Sequence, residues 1–224
     1  MTPEPIVQDE AINVMDPPGS SRLRSLISKG FAPRHMERMR VRTQYVVDEL
    51  LDRMEEHGSP ADLVEHLADP LPLATICEVL DIPEADRAQL RSHARTMMDT
   101  GVANRDNAVR AKADLRAYFE KLTTQRRENP GEDLISTLAT ARDGDEILND
   151  RELAVMAMVL LITGQDTTTY EIGNIAYALL TRPEELAVLR SEPGMLPQAI
   201  EELLRFIPFR KASASPASPP RTWN

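Results

Sequence analysis

The sequence predicts a mainly α fold built around one long central helix at about residues 149–181. Three observations carry this. Aromatic residues make up only 4% of the chain, while the patterned segments from Arg22 to Phe206 are rich in Ala, Leu, Glu, Arg and Met, all good helix formers. Apolar residues recur there at helical rather than strand spacing. Asn149 and Glu152 form an N-x-x-E capping box, and Pro183 bars continuation past Thr181. At 1.5 Å per residue the enclosed helix is roughly 45 Å long, enough to cross a domain.

The elements follow in order. Residues 1–18 show no periodicity and end in Asp16-Pro17-Pro18, whose prolines hold the preceding residues extended, so this segment is expected to be irregular. Ser20 or Ser21 can cap a helix from Arg22 to Lys29, which Gly30 and Pro33 end. Met36, Met39, Val46, Val47, Leu50, Leu51 and Met54 mark an amphipathic helix from Arg34 to His57, and Gly58 stops it. Leu63 to Leu80 is helical but broken near Pro70 and Pro72. Helices follow over 84–100, 104–128 and 133–141, then an acidic loop from Arg142 to Asp145 and the central helix, whose start, Leu153 to Ile162, is apolar on every side and should be buried. Thr181 and Glu184 cap a short helix to Ser191, and Pro197 opens another that runs to Phe206. Residues 212–220 contain only Ala, Ser and Pro, which cannot bury enough apolar surface to order themselves, so 212–224 reads as a disordered tail.

Bulk properties narrow the function. A net charge of -10 gives no global reason to expect nucleic acid or an anionic membrane as partner. The longest apolar run is about half of the ~20 residues needed to span a bilayer, and one cysteine excludes a disulfide framework, so a cytoplasmic protein with no membrane contact is expected. Basic character is local: between residues 20 and 42 stand Arg22, Arg24, Lys29, Arg34, Arg38, Arg40 and Arg42 against Glu37 alone. Such a segment can steer an acidic partner, or it can be a solvated helix face.

Thr163-Gly164-Gln165-Asp166-Thr167-Thr168-Thr169 places poor helix formers inside the central helix, at a propensity cost of about 3 kcal/mol relative to alanine. Gly164 can admit a ligand to the backbone, threonine hydroxyls can bond carbonyls a turn earlier and bend or widen the helix, and Asp166 beside Thr167 can relay protons. The alternative is a polar seam between helices. Glu202 and Arg205, three apart in Glu201-Glu202-Leu203-Leu204-Arg205-Phe206, are neighbours on one helix face and can form an ion pair.

Taken together, these motifs resemble the cytochromes P-450. Gly164-Gln165-Asp166-Thr167-Thr168 is similar to the family's oxygen-activation motif A/G-G-x-D/E-T-T, and Glu202-x-x-Arg205 to its E-x-x-R helix, in the family's order. Met15 to Arg24 resembles its D-P-P-x-H-x-x-x-R helix, with Arg24 at the propionate-binding arginine and Ser20 where histidine is expected. Asn129 to Ser136 is a further family-like stretch, and the resemblance extends over about 13–211, closest to bacterial, soluble members.

The resemblance implies haem b, a small organic substrate and a ferredoxin-type electron donor docking on segment 20–42. It assigns Asp166 and Thr167 to proton delivery, Arg24 and Gly164 to the cofactor, and Glu202 with Arg205 to a structural pair. No protein ligand to the iron is expected here, since the family's F-x-x-G-x-x-x-C-x-G loop has no counterpart and Cys77 lies in an apolar helix. The histidines His35, His57, His66 and His93 have no metal-ligand spacing and are expected at the surface.

A partial fold is therefore expected, with the β-rich lobe and the haem-thiolate loop missing and activity absent from these residues alone. Read two bases out of frame, one possible coding of Ala212 to Asn224 gives V-G-I-P-R-V-A-T-E-D-V-E, similar to the strand that follows in the family, so the tail is expected to arise by frameshift after Lys211. The competing readings are a haem-less α-helical interaction module and a pseudogene product without function.

Overall fold

The computed structural model describes residues 11–12, 15–98, 104–142 and 147–207. The expected tail at 212–224, most of the expected irregular start at 1–18 and most of the acidic loop lie outside the described residues. Those described form nine α-helices and no strand: α1 Gly19–Ser28, α2 Pro33–His57, α3 Pro70–Val79, α4 Glu84–Met98, α5 Arg105–Glu128, α6 Leu134–Thr140, α7 Asp150–Leu180, α8 Pro183–Ser191 and α9 Leu196–Phe206.

Helix boundaries follow local chemistry, with some departures from expectation. α7 starts where the sequence places it: the Asn149 side chain accepts from the Glu152 amide and Glu152 accepts from the Asn149 amide, each at 2.9 Å. α2 ends at Gly58, which takes a left-handed φ of 83°. α3 ends before Asp81 at φ 49°, a conformation that aspartate tolerates better than most residues.

By contrast, α1 begins at Gly19 with no side-chain cap, and Ser20 is buried instead of capping. Thr181 likewise does not cap α8; its hydroxyl donates to the Tyr177 carbonyl at 2.8 Å. The break before α3 is a π turn over Val64–Ala68, with Pro70 at the first turn of α3 where its missing N–H costs nothing.

One core holds the helices together. Leu23 and Leu26 of α1, Leu73 and Cys77 of α3, Leu90 and Met97 of α4, Leu115 and Phe119 of α5, Leu134 and Leu138 of α6, and Leu153 to Leu161 of α7 share it. α7 packs on α3, α5 and α6 and more lightly on α8 and α9, with Leu204 of α9 beside Thr167, Thr168 and Glu171. The apolar start of α7 is buried as its all-round hydrophobicity requires, whereas Tyr170, Tyr177 and Leu180 in its second half are exposed. Arg182 lies 5.8 Å from the Phe206 ring centroid, a cation–π contact that ties the start of α8 to the end of α9.

Ion pairs decorate the rim. Glu78 takes Arg42 at 2.7 Å and Arg87 at 2.8 Å, and Asp69 takes Arg91 and Arg95. Arg42, then Arg87, hold the Glu78 carboxyl below its usual range while burial opposes them.

Gly164 is where α3 crosses α7. A Cβ there would stand 3.1 Å from Ile76 Cγ1 and 3.2 Å from its Cδ1. Replacing a helical glycine by alanine gains about 1 kcal/mol in propensity, but forcing a methyl against a β-branched side chain in a packed core costs about 1–3 kcal/mol. The clash wins, so Gly164→Ala is expected to lower the thermal midpoint; a melt at or above the parent's would show that Ile76 moves aside freely.

Candidate functional site

The polar stretch of α7 divides its side chains between two surfaces because successive residues turn by about 100°. Thr167 and Thr168 open onto a groove completed by Glu171 and by Leu204 of α9. Asp166 lines a different depression, between α7, α4 and the π turn, together with Asp62, Glu65, Asp69, Arg95, Thr169 and Tyr170. Asp166 also acts on Arg91: burial first and Arg95 second hold that guanidinium below its usual value, and the Asp166 charge opposes them. The structure therefore does not bring Asp166 and Thr167 to one surface.

The hydroxyls behave as short polar groups in a helix interior do. Thr163 donates to the Val159 carbonyl at 2.7 Å, Thr167 to that of Thr163, and Thr169 to that of Gln165 at 3.2 Å. α7 nevertheless stays an unbroken α-helix through this stretch, without the widening that these residues permit. Between the two surfaces sits Gln165, 1% exposed, whose amide nitrogen and oxygen both lack a hydrogen-bond partner among the described residues. The space beside Gly164 is taken by Ile76, so among the described residues the missing Cβ serves helix packing.

The remaining candidates lie apart from this stretch. Arg24 is exposed on α1, and no hydrogen bond or ion pair joins it to a described residue. Glu202 and Arg205 are joined on α9, with Arg205 Nε donating to Glu202 Oε2 at 2.7 Å; that bond raises the pKa of an exposed guanidinium.

The basic segment is more neutral in space than in sequence. Arg22 meets Glu152, Arg38 meets Glu132, Arg40 meets Glu37, and Arg42 meets Glu78. Lys29 donates to the Arg142 carbonyl. Three of these four carboxylates come from outside the segment, which is why a local charge count overstates the patch.

A haem fits part of this arrangement. The Thr167 groove offers hydroxyls beside an apolar wall, and Arg24 is an exposed cation without a partner among the described residues, as a propionate contact requires. No thiolate is on offer, because Cys77 is fully buried in α3 and burial pushes its thiol up to about 11. Among the described residues no three His, Cys, Asp or Glu side chains converge as a metal site, and no helix is long and apolar enough to cross a membrane. His57 is exposed and His35, His66 and His93 are partly exposed, none of the four being buried; the rings of His57 and His66 meet with centroids 4.5 Å apart and planes tilted by 49°.

Sequence reasoning passed over Glu171 and the Asp69 clamp. The first was readable as the residue one turn beyond Thr167; the second joins residues 22 and 26 positions apart and leaves no local signal.

No family model matches the chain. Individual relatives do. Nocardicin C N-oxygenase of Nocardia uniformis subsp. tsuyamanensis is 45% identical over 200 residues, 89% of this chain and 50% of that protein. Mycinamicin IV hydroxylase/epoxidase of Micromonospora griseorubida is 38% identical over 202 residues, covering 90% and 51%. The crystal structure of cytochrome P450mel 107F1, described as having biaryl coupling reactivity, superposes with a TM-score of 0.86 at 70% identity, covering 94% of this chain and 53% of that one. The chain spans about half the length of the curated relatives it matches. With this much identity laid over the same helices, the chain belongs to the cytochrome P450 family, whose cofactor is haem.

Proposed function

We propose that these helices are the oxygen-handling part of a haem-thiolate monooxygenase that inserts one oxygen atom of O2 into a small organic substrate. The observation that carries this reading is the Thr163–Thr169 stretch: hydroxyls and a carboxylate held inside a continuous helix whose first half is core, with Thr167 opening onto a groove. Haem, when bound, supplies the redox chemistry, with the second oxygen atom leaving as water.

The chain's own residues orient and protonate. Thr167 Oγ presents a proton to the groove; in the free protein that proton rests on the Thr163 carbonyl, a bond that a better acceptor can displace by one rotation. Asp166, one residue before Thr167, is the carboxylate of the proton-delivery pair and reaches solvent through its own depression. Arg24 holds an anionic group of the cofactor. Glu202 and Arg205 fix each other and stiffen the end of α9 beside Leu204. Electrons come from a ferredoxin-type donor docking on segment 20–42, where Arg38, Arg40 and Arg42 stay largely exposed despite their partners.

A chimera tests this. Residues 15–207 replace the aligned half of nocardicin C N-oxygenase, and the product is reconstituted with haem and an electron donor. The chimera is expected to turn over substrate, and Asp166→Asn or Thr167→Val within it to slow product formation about 10²-fold. A chimera with a normal carbon monoxide spectrum in which both variants keep the parent's rate rules out the proton-delivery assignment.

A further inference from the structure

We propose that Glu171 is a positioning residue that exchanges protons with the Thr167 hydroxyl, from the same face of α7 and independently of Asp166. The proposal rests on Thr167 being the proton-delivering hydroxyl and adds a partner that no motif assigns.

Three observations lead there. Thr167 and Glu171 are four residues apart on one continuous helix, so their side chains lie one above the other. They line the same groove, with Thr168 and Leu204, whereas Asp166 lines the depression toward α4. Glu171 Oε2 is shut off from solvent and has no hydrogen-bond partner among the described residues.

A buried carboxyl oxygen without a donor is costly, and the hydroxyls of Thr167 and Thr168 are the polar groups that share its groove. Thr167 spends its proton on the Thr163 carbonyl, so its oxygen lone pairs are free to accept. In the relay the Glu171 carboxylate takes a proton from hydronium at the open side of the groove and hands it to Thr167 Oγ while the Thr167 hydroxyl proton passes to an acceptor in the groove. At the Glu171 oxygen and at Thr167 Oγ one O–H bond forms and one breaks, Glu171 ends as the carboxylate it began as, and no electrons move.

The test reads solvent exchange of the Thr167 hydroxyl by NMR in the 224-residue chain, without cofactor. Glu171→Gln is expected to slow that exchange at least about tenfold with the amide spectrum otherwise unchanged, whatever Asp166→Asn does. Exchange that slows with Asp166→Asn alone overturns the role of Glu171 while leaving Asp166 and Thr167 as a pair; exchange unaffected by either variant also overturns it.

Should Glu171→Gln not fold, the side-chain carboxyl carbon of Glu171 is followed in Thr167→Val and Thr167→Ser. Contact predicts that its resonance moves in the valine variant and returns in the serine variant, and no movement in either overturns the proposal.

Discussion

Mixed with haemin, reduced and exposed to carbon monoxide, the 224-residue chain is expected to show no thiolate-type Soret band. The sequence contains one cysteine, Cys77, and its side chain is 0% exposed within the core formed by α1, α3, α4, α5, α6 and α7. Burial pushes the thiol up to about 11, Arg87 opposes this through its charge, and Glu78 adds to it. At neutral pH the sulfur is a packed thiol and not an available ligand.

The same burial sets a pH dependence. A thiol whose folded value stands above its unfolded value of about 9 stabilises the fold fully below pH 9, and that contribution is lost as pH rises toward 11. Native chain should accordingly react with a thiol reagent at pH 8 much more slowly than urea-unfolded chain. A carbon-monoxide-shifted band that disappears in Cys77→Ser would show that α3 opens to deliver the cysteine, and would sink the expectation.

Phe119→Ala should be the most damaging single truncation. Phe119 is 0% exposed at the middle of α5, packed edge-on against Tyr118 with ring centroids 5.4 Å apart and planes at 88°. α5 is the helix that both α4 and α7 lean on. Removing a buried phenyl ring costs about 3–5 kcal/mol through lost transfer energy and the cavity left behind, against a total stability of about 5–15 kcal/mol for an ordinary domain. Urea unfolding is expected to show a midpoint lowered in proportion at an unchanged slope. A loss under about 1 kcal/mol would mean that α5 is not the keystone of this core.

The sequence makes the helices legible where punctuation is local. The Asn149 and Glu152 box, Gly58 and Pro183 each act within a few residues, so their effects can be read before any packing is known. Ser20 misleads because burial competes with capping, and only the position of α1 against the core decides which wins. Candidate site residues were named from motifs, but how they sort into surfaces was not, since that depends on which neighbours flank α7. Gly164 is the clearest instance: a missing Cβ invites a ligand and a crossing helix equally, and Ile76, 88 positions earlier in the chain, occupies the space. The basic segment is partly neutralised for the same reason in electrostatics, since Glu78, Glu132 and Glu152 arrive from elsewhere.

The two halves of α7 differ in what surrounds them, and that gives one helix two local stabilities. From Leu153 to Leu161 nearly every side chain is core, so those backbone amides can open only when the whole domain does. Beyond Gln165 only Ala178 is buried, and the backbone can breathe there in small excursions that leave the core intact. Because Thr167 and Glu171 lie in the breathing half, the chemistry-bearing turn can adjust to a ligand without melting the element that anchors it.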